Sequence, residues 1–103
     1  MSPAMAADAV REIVIRHVSE ALLVPIQSVT PSARLLSDLN AESIDIVDIR
    51  FRIEDECRIK INQQEMTESL GTGLTEAEFD ARFTVGFIIE YVTRQVVAER
   101  SPA

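Results

Sequence analysis

Apolar residues recur every three or four positions in three stretches of the chain, which predicts three long amphipathic helices. The first helix is expected from about Ala4 to Leu22, the second from about Ser43 to Cys57, and the last directly after Thr84. Thr84 is the expected N-cap of the last helix, where Phe83 and Ile88 can form a hydrophobic staple. Its expected buried stripe consists of Val85, Ile88, Ile89, Val92 and Val96. No convincing alternation indicates a strand, so the sequence predicts a small all-α bundle.

The connection between the first two helices, residues 24–42, lacks helical periodicity. Pro25 and Pro31 favour irregular backbone there. Loops of this length in compact domains are commonly functional. Asp38 or Asn40 is expected to satisfy the open amides at the start of the second helix. Three leucines are expected to anchor the loop in the core: Leu35, Leu36 and Leu39.

The stretch between the second and last helices predicts one or two short helices. Gly71 and Gly73 interrupt the pattern. Thr75 and Glu78 have the spacing of a capping box, in which each side chain bonds the other residue's backbone amide.

The second helix carries two apolar stripes on opposite sides. The predicted core face holds Ile46, Ile49, Ile53 and Cys57. The other stripe holds Ile44, Val47 and Phe51, flanked by Asp48 and Asp55 on one side and Glu54 on the other. One alternative is that this second stripe packs under the long loop or the glycine-containing segment. The other is an exposed docking surface for a partner whose apolar pocket is rimmed by Arg and Lys.

Composition narrows the possible functions. A chain of 103 residues with 47% hydrophobic residues can enclose one modest core. The formal charge of −7 disfavours nucleic acid and anionic membranes and favours basic protein partners. A single cysteine, Cys57, excludes an internal disulfide, and a single histidine, His17, leaves little scope for histidine-based catalysis or metal binding. With no export or membrane signal at the N-terminus, we expect a cytoplasmic protein without stable membrane insertion.

The segment DLNAESIDIVDIRFRIEDECRIKI, residues 38–61, followed by FTVGFIIEYV, residues 83–92, resembles the acyl carrier proteins. The most specific part of the resemblance is the phosphopantetheine attachment motif, Asp-Leu-Gly-x-Asp-Ser-Leu, which aligns with residues 38–44. Ser43 falls on the modified serine of that motif. The acids that usually follow are matched by Asp45 and Asp48.

The resemblance implies a four-helix bundle whose Ser43 is esterified to 4′-phosphopantetheine from coenzyme A. It also implies that the protein is a carrier and not an enzyme, since the thiol of the arm holds the acyl chain and partner enzymes supply the catalytic groups. The implied partners are a phosphopantetheinyl transferase, acyl-chain synthesising enzymes and acyltransferases, visited by a monomer. Considered without the motif, a lone serine before an apolar run is more often an N-cap. The candidate docking residues are Glu42, Ile44, Asp45, Val47, Asp48, Phe51, Glu54 and Asp55.

Some positions depart from the family pattern. Asn40 replaces a glycine that favours a positive φ, a conformation that asparagine tolerates. Glu42 and Ile44 are mild replacements of Asp and Leu. Arg50 and Arg52 stand where the family commonly has small or apolar residues, and the apolar stem of Arg50 can cover the core while its charged end reaches solvent.

The largest departure is an extension within residues 62–82 of a single domain spanning residues 1–103, with an ordered core expected at about 4–98. Carriers that deliver very long acyl chains to lipid A have a comparable extension, and RIKINQQEMTESLGTGLTEAEF is similar to it. The resemblance therefore suggests an enlarged acyl pocket, although an extra helix that only packs on the surface explains the length equally well. Candidate lining residues are Ile46, Ile49, Ile53, Met66, Leu70, Leu74, Phe79 and Ile88.

The sequence is also compatible with other functions. The chain could carry polyketide or aminoacyl groups, or it could be an unmodified helical interaction module in which only the docking surface is used. A small enzyme would depend on Cys57 and His17. Both lie on apolar stripes, which favours core packing for each.

Overall fold

The structure, a computed structural model, describes the backbone of residues 3–100 and the side chains of residues 7–99. Within this part the chain forms five α-helices and a short 3₁₀-helix, Ile26–Ser28. The α-helices are α1 (Pro3–Leu22), α2 (Ser43–Cys57), α3 (Gln63–Glu68), α4 (Glu76–Arg82) and α5 (Val85–Arg100). The all-α prediction is confirmed, and the extension contains the two short helices α3 and α4.

Helix α1 packs against both α2 and α5. It contributes Val10, Val14 and Val18 to the core, each at most 3% exposed. The predicted stripe of α5 is confirmed at Val85, Ile88, Val92 and Val96, which are buried, whereas Ile89 is only partly buried. The three long helices therefore form the bundle through their predicted apolar faces.

The connection between α1 and α2 starts at a tight helix end. Leu23 has a positive φ of 55°, and the Val24 N–H donates to the Ser19 carbonyl oxygen at 3.2 Å. This is the Schellman arrangement that satisfies carbonyl groups at a helix C-terminus. Leu35 and Leu39 are buried as predicted, whereas Leu36 is only partly buried.

The same loop pairs with the start of α5. The Leu35 N–H donates to the Phe83 carbonyl at 3.0 Å, and the Val85 N–H donates to the Ala33 carbonyl at 3.0 Å. Gly86 donates to the Pro31 carbonyl at 2.8 Å. We call these contacts between residues 31–35 and 83–86 the loop–α5 bridge. The sequence pattern did not predict it, because it depends on residues far apart along the chain.

The two short helices each begin at a local cap. The Asn62 side chain accepts from the Glu65 N–H at 2.9 Å and caps α3. The predicted capping box of α4 is confirmed, with Thr75 and Glu78 bonded reciprocally at 3.1 Å. The predicted cap of α5 is also confirmed, since Thr84 Oγ1 accepts from the Phe87 N–H at 3.1 Å.

Among residues 3–100, no helix combines the length and apolar character needed to cross a membrane.

Candidate functional site

The candidate site is the N-terminus of α2, where Ser43 is the first helical residue and Glu42 occupies the N-cap position. The Glu42 N–H donates to Asp45 Oδ2 at 2.8 Å. Capping of α2 by Asp38 or Asn40 was therefore wrong. Asp38 lies too far before the helix and instead accepts from the Arg34 N–H at 2.8 Å. Asn40 has a φ of 55°, which confirms that it adopts the positive φ expected of the glycine it replaces.

Ser43 is exposed, and its hydroxyl makes no hydrogen bond within the part of the chain that the structure describes. The alternative that Ser43 is the N-cap is wrong, because Glu42 holds that position. The first N–H groups of an α-helix lack carbonyl acceptors within the helix, and the helix dipole is positive at this end. An anionic group attached to Ser43 would therefore lie in a favourable electrostatic environment.

The outer stripe of α2 faces solvent. Ile44 is 71% exposed and Phe51 is 55% exposed, while Val47 is partly buried. The alternative that this stripe packs under the loop is therefore wrong for its two largest members. Exposed apolar side chains between acidic ones fit the expectation of a docking surface.

The acidic candidates on α2 fall into two groups. Three of them are engaged inside the protein: Asp45 with the Glu42 N–H, Asp48 with Arg52 at 3.1 Å, and Glu54 with the Ile61 N–H at 2.6 Å. Glu42 and Asp55 are exposed, and neither forms a salt bridge within the described residues. The Glu42 side chain, however, also faces the Asp45 N–H in the reciprocal cap of α2. Asp55 is thus the acid of the outer stripe that is most available to a partner.

A small apolar cavity lies on the inner side of α2. Its walls come from α2, α3, α5 and the segment after α2, and consist of Ile46, Ile49, Arg50, Ile53, Ile61, Met66 and Ile88. Its volume is about 10 Å³, which is about the least that a water molecule needs. An acyl chain would have to move these walls apart in order to enter.

The other three candidate lining residues lie elsewhere. Leu74 and Phe79 line a separate open groove of about 630 Å³ on the surface, together with Leu36. Leu70 is buried in the core at 7% exposure. The structure therefore brings Ile46, Ile49, Ile53, Met66 and Ile88 together around one cavity and does not bring Leu70, Leu74 or Phe79 to it.

Arg50 stands at the border of the core face, as its position on the helix predicts. Its guanidinium donates to the Ile61 carbonyl at 3.3 Å and lies 4.6 Å from the centre of the Phe51 ring. The Nε atom is buried without a hydrogen-bond partner. Arg50 thus connects the inner cavity with the outer stripe.

His17 lies at the contact between α1 and α2. His17 Nε2 is 2.7 Å from Glu56 Oε1, and its side chain is 13% exposed. Arg16 also binds Glu56, at 2.6 Å. Hydrogen bonding by Arg16, more than that by His17, lowers the pKa of Glu56 below its ordinary value. Cys57 is buried at 8% exposure on the core face of α2, as predicted.

Sequence reasoning missed the reciprocal cap of α2 and one residue that lines the inner cavity. Glu42 and Asp45 have the i, i+3 spacing of a reciprocal cap, a signal that was available in the sequence. Ile61 was not predicted to line the cavity. Its signal was the alternation of Ile59 and Ile61, which are 6% and 4% exposed, with polar Lys60 between them.

The chain is similar to a protein of known type. A relative from Thermotoga maritima, named acyl carrier protein, is 30% identical over 79 residues. The matched region covers 77% of this chain and 82% of the relative. No protein-family model matches the chain.

Proposed function

The chain belongs to the acyl carrier protein family, and we propose that it holds acyl groups as thioesters on a 4′-phosphopantetheine arm attached to Ser43. As a member of this family it is a carrier and not an enzyme. The observation that carries the proposal is the position of Ser43: exposed, at the first turn of a 15-residue helix, and inside the attachment motif.

The residues at this position fit the phosphodiester of the arm. The Ser43 hydroxyl is exposed and makes no hydrogen bond within the described chain. The backbone amides and dipole of α2 favour the negative charge of the phosphate. When attached, the arm supplies a thiol that carries the acyl chain as a thioester. The protein itself contributes the attachment point and the surface that partners recognise.

Partner enzymes would dock on the outer stripe of α2, beside Ser43. Ile44 and Phe51 offer exposed apolar area, and Asp55 and Glu42 offer exposed negative charge. A phosphopantetheinyl transferase, the enzymes that build the acyl chain and the acyltransferases that consume it would share this surface. Transient docking by a monomeric, single-domain carrier in the cytoplasm fits these roles.

For the pathway, we propose fatty-acid or lipid A synthesis. The extension that contains α3 and α4 supports the lipid A alternative, because its sequence is similar to that of carriers for very long acyl chains. Met66 of α3 lines the inner cavity, so this extension contributes to the wall that a long chain would meet.

Intact-mass spectrometry after incubation with coenzyme A and a broad-specificity phosphopantetheinyl transferase tests the attachment. The unmutated protein is expected to gain one phosphopantetheinyl group, and Ser43→Ala is expected to gain none. Because the Ser43 side chain is exposed and makes no hydrogen bond within the described residues, its loss should change the free energy of unfolding by no more than about 0.5 kcal/mol.

Ser37→Ala is the matched control, since Ser37 is also an exposed serine outside a helix interior. It should be modified as fully as the unmutated protein. Modification of a folded Ser43→Ala variant would place the attachment elsewhere. Absence of modification in the unmutated protein would favour an unmodified interaction module that uses only the docking surface.

A further inference from the structure

The inner cavity of α2 is apolar except for one charged side chain. Six of its seven lining residues are isoleucine or methionine, and the seventh is Arg50. Guanidinium groups in apolar surroundings normally face a carboxylate or a full set of hydrogen-bond acceptors. Arg50 is partly buried and has neither within the described chain. Its contacts are one long hydrogen bond of 3.3 Å to the Ile61 carbonyl and the face of Phe51.

The neighbouring arginine on the same helix shows the contrast. Arg52 binds Asp48 at 3.1 Å and Glu20 at 3.6 Å, and both contacts lie outside the cavity. Carboxylates are thus within reach of Arg52 but not of Arg50. The buried Nε–H of Arg50 remains a hydrogen-bond donor without an acceptor.

An unsatisfied buried donor that borders a cavity is stabilised by any ligand that brings an acceptor to it. The side chains that line the cavity leave only about 10 Å³ between them. A ligand must therefore be flexible and largely apolar to insert between these side chains. An acyl chain has this chemistry, and an oxygen atom along the chain adds the acceptor.

We propose that Arg50 makes this protein selective for acyl chains that bear an oxygen substituent on the part of the chain entering the cavity. The oxygen accepts a hydrogen bond from Nε–H of Arg50, while the methylene groups on either side pack against the isoleucines. The inference rests on the proposed function, because the chain reaches the cavity from the arm on Ser43. It adds a specificity-determining residue to that function.

The test compares protein loaded with different acyl-phosphopantetheine groups. A broad-specificity phosphopantetheinyl transferase loads the unmutated protein from dodecanoyl-CoA and from two hydroxydodecanoyl-CoAs, one hydroxylated near the carbonyl and one near the chain end. Thermal unfolding of each loaded form is followed by circular dichroism. At least one hydroxylated form should unfold about 4–8 °C above the dodecanoyl form, because its hydroxyl gives a charged donor its missing partner.

Arg50→Met keeps a long apolar side chain and removes the donor, so it should abolish this difference. Arg52→Met is the matched control, since it removes an arginine that does not line the cavity, and it should keep the difference. Equal unfolding temperatures for the plain chain and both hydroxylated chains in the unmutated protein would overturn the inference. A difference that persists in Arg50→Met would also overturn it.

A second measurement needs no substitution. In ¹H–¹⁵N spectra, the Nε–H group of Arg50 should have one chemical shift in protein loaded with a hydroxylated chain and a different chemical shift in protein loaded with the plain chain. The same resonance position with every chain would contradict the inference even if Arg50→Met failed to fold. Intact mass separates the two hypotheses: no loading overturns the carrier proposal, whereas loading with no effect of the oxygen overturns only the role of Arg50.

Discussion

Glu56 shows how a single side chain links two helices of the bundle. It lies on α2 and binds Arg16 and His17 of α1. The hydrogen bond from Arg16 lowers the pKa of Glu56 below its ordinary value of 4.5, and the same contact raises the pKa of Arg16. The carboxylate form of Glu56 is therefore favoured in the folded state over the unfolded state.

This gives a prediction about pH. A carboxyl group whose pKa is lowered by folding stabilises the protein above its unfolded-state pKa, and this contribution is lost as the pH falls through the folded-state pKa. Glu56→Gln should reduce the unfolding temperature at pH 7. It should also make the decline in unfolding temperature below about pH 4.5 shallower than in the unmutated protein, as measured by circular dichroism from neutral to acidic pH.

Glu90→Gln is the control for this series, because Glu90 is exposed and forms no salt bridge within the described residues. It corrects for the general effect of removing one negative charge. If the unfolding temperature declines equally with falling pH in Glu56→Gln and Glu90→Gln, the contact with Arg16 does not contribute to the pH dependence of stability.

At the scale of single residues, sequence reasoning succeeded where the rule is local. The positive φ of Asn40 and the caps formed by Thr75 and Thr84 were predicted from residue type and spacing. The cap of α2 was missed although its i, i+3 spacing is present in the sequence, because glutamate is not among the residues that usually occupy the N-cap position. The partners of Arg50 depend on which side chains surround it in three dimensions, so one sequence could not give them.

At the scale of elements, the first turn of α5 illustrates a conflict between helix propensity and packing. Gly86 is helical, and alanine normally stabilises a helix by about 1 kcal/mol relative to glycine. Here a Cβ atom would lie 2.9 Å from the Pro31 carbonyl oxygen. That is closer than packed atoms tolerate, and the atom in the way belongs to backbone.

Gly86→Ala should therefore destabilise the protein despite the better helix propensity of alanine. We expect a loss of about 1–3 kcal/mol in the free energy of unfolding, measured by urea denaturation. Ala98→Gly, at an exposed position later in α5, reports the propensity effect alone. A more stable Gly86→Ala variant would contradict the close approach between the loop and α5.

The boundaries of α2 and the existence of α3 and α4 could be predicted, because periodicity and capping spacings are properties of short segments. The loop–α5 bridge could not, since its partners are distant in sequence and their hydrogen bonds involve backbone groups common to all residues. Leu36 shows the same limit: an apolar residue was expected in the core, yet it borders the open groove with Leu74 and Phe79.

At the scale of the whole molecule, the net negative charge acts on an approaching partner at longer range than any direct contact. The formal charge is −7, and Asp55 lies exposed beside the apolar residues of the outer stripe. Electrostatic attraction should raise the rate at which a partner with basic residues finds this surface. Apolar contacts with Ile44 and Phe51 would then hold the complex.

Under the proposed attachment at Ser43, Asp55→Lys should lower kcat/KM for modification by a phosphopantetheinyl transferase by about tenfold at low ionic strength. The difference should shrink as salt is added, because screening weakens charge–charge attraction. Glu90→Lys is the control, because it changes the net charge by the same amount at a position on α5. If kcat/KM falls by the same factor in both variants, the effect comes from the net charge and not from the position of Asp55 on the outer stripe.

The loop–α5 bridge also has a consequence for how the protein is made. It joins two segments that lie before and after α2, α3 and α4, so the part of the chain that contains Ser43 is closed at both ends by hydrogen bonds. Contacts between residues far apart in sequence form late and limit the folding rate. During synthesis, the Ser43 segment cannot be closed until the first turn of α5 has left the ribosome. Under the proposed attachment at Ser43, a transferase that requires the folded bundle therefore has no substrate before that moment.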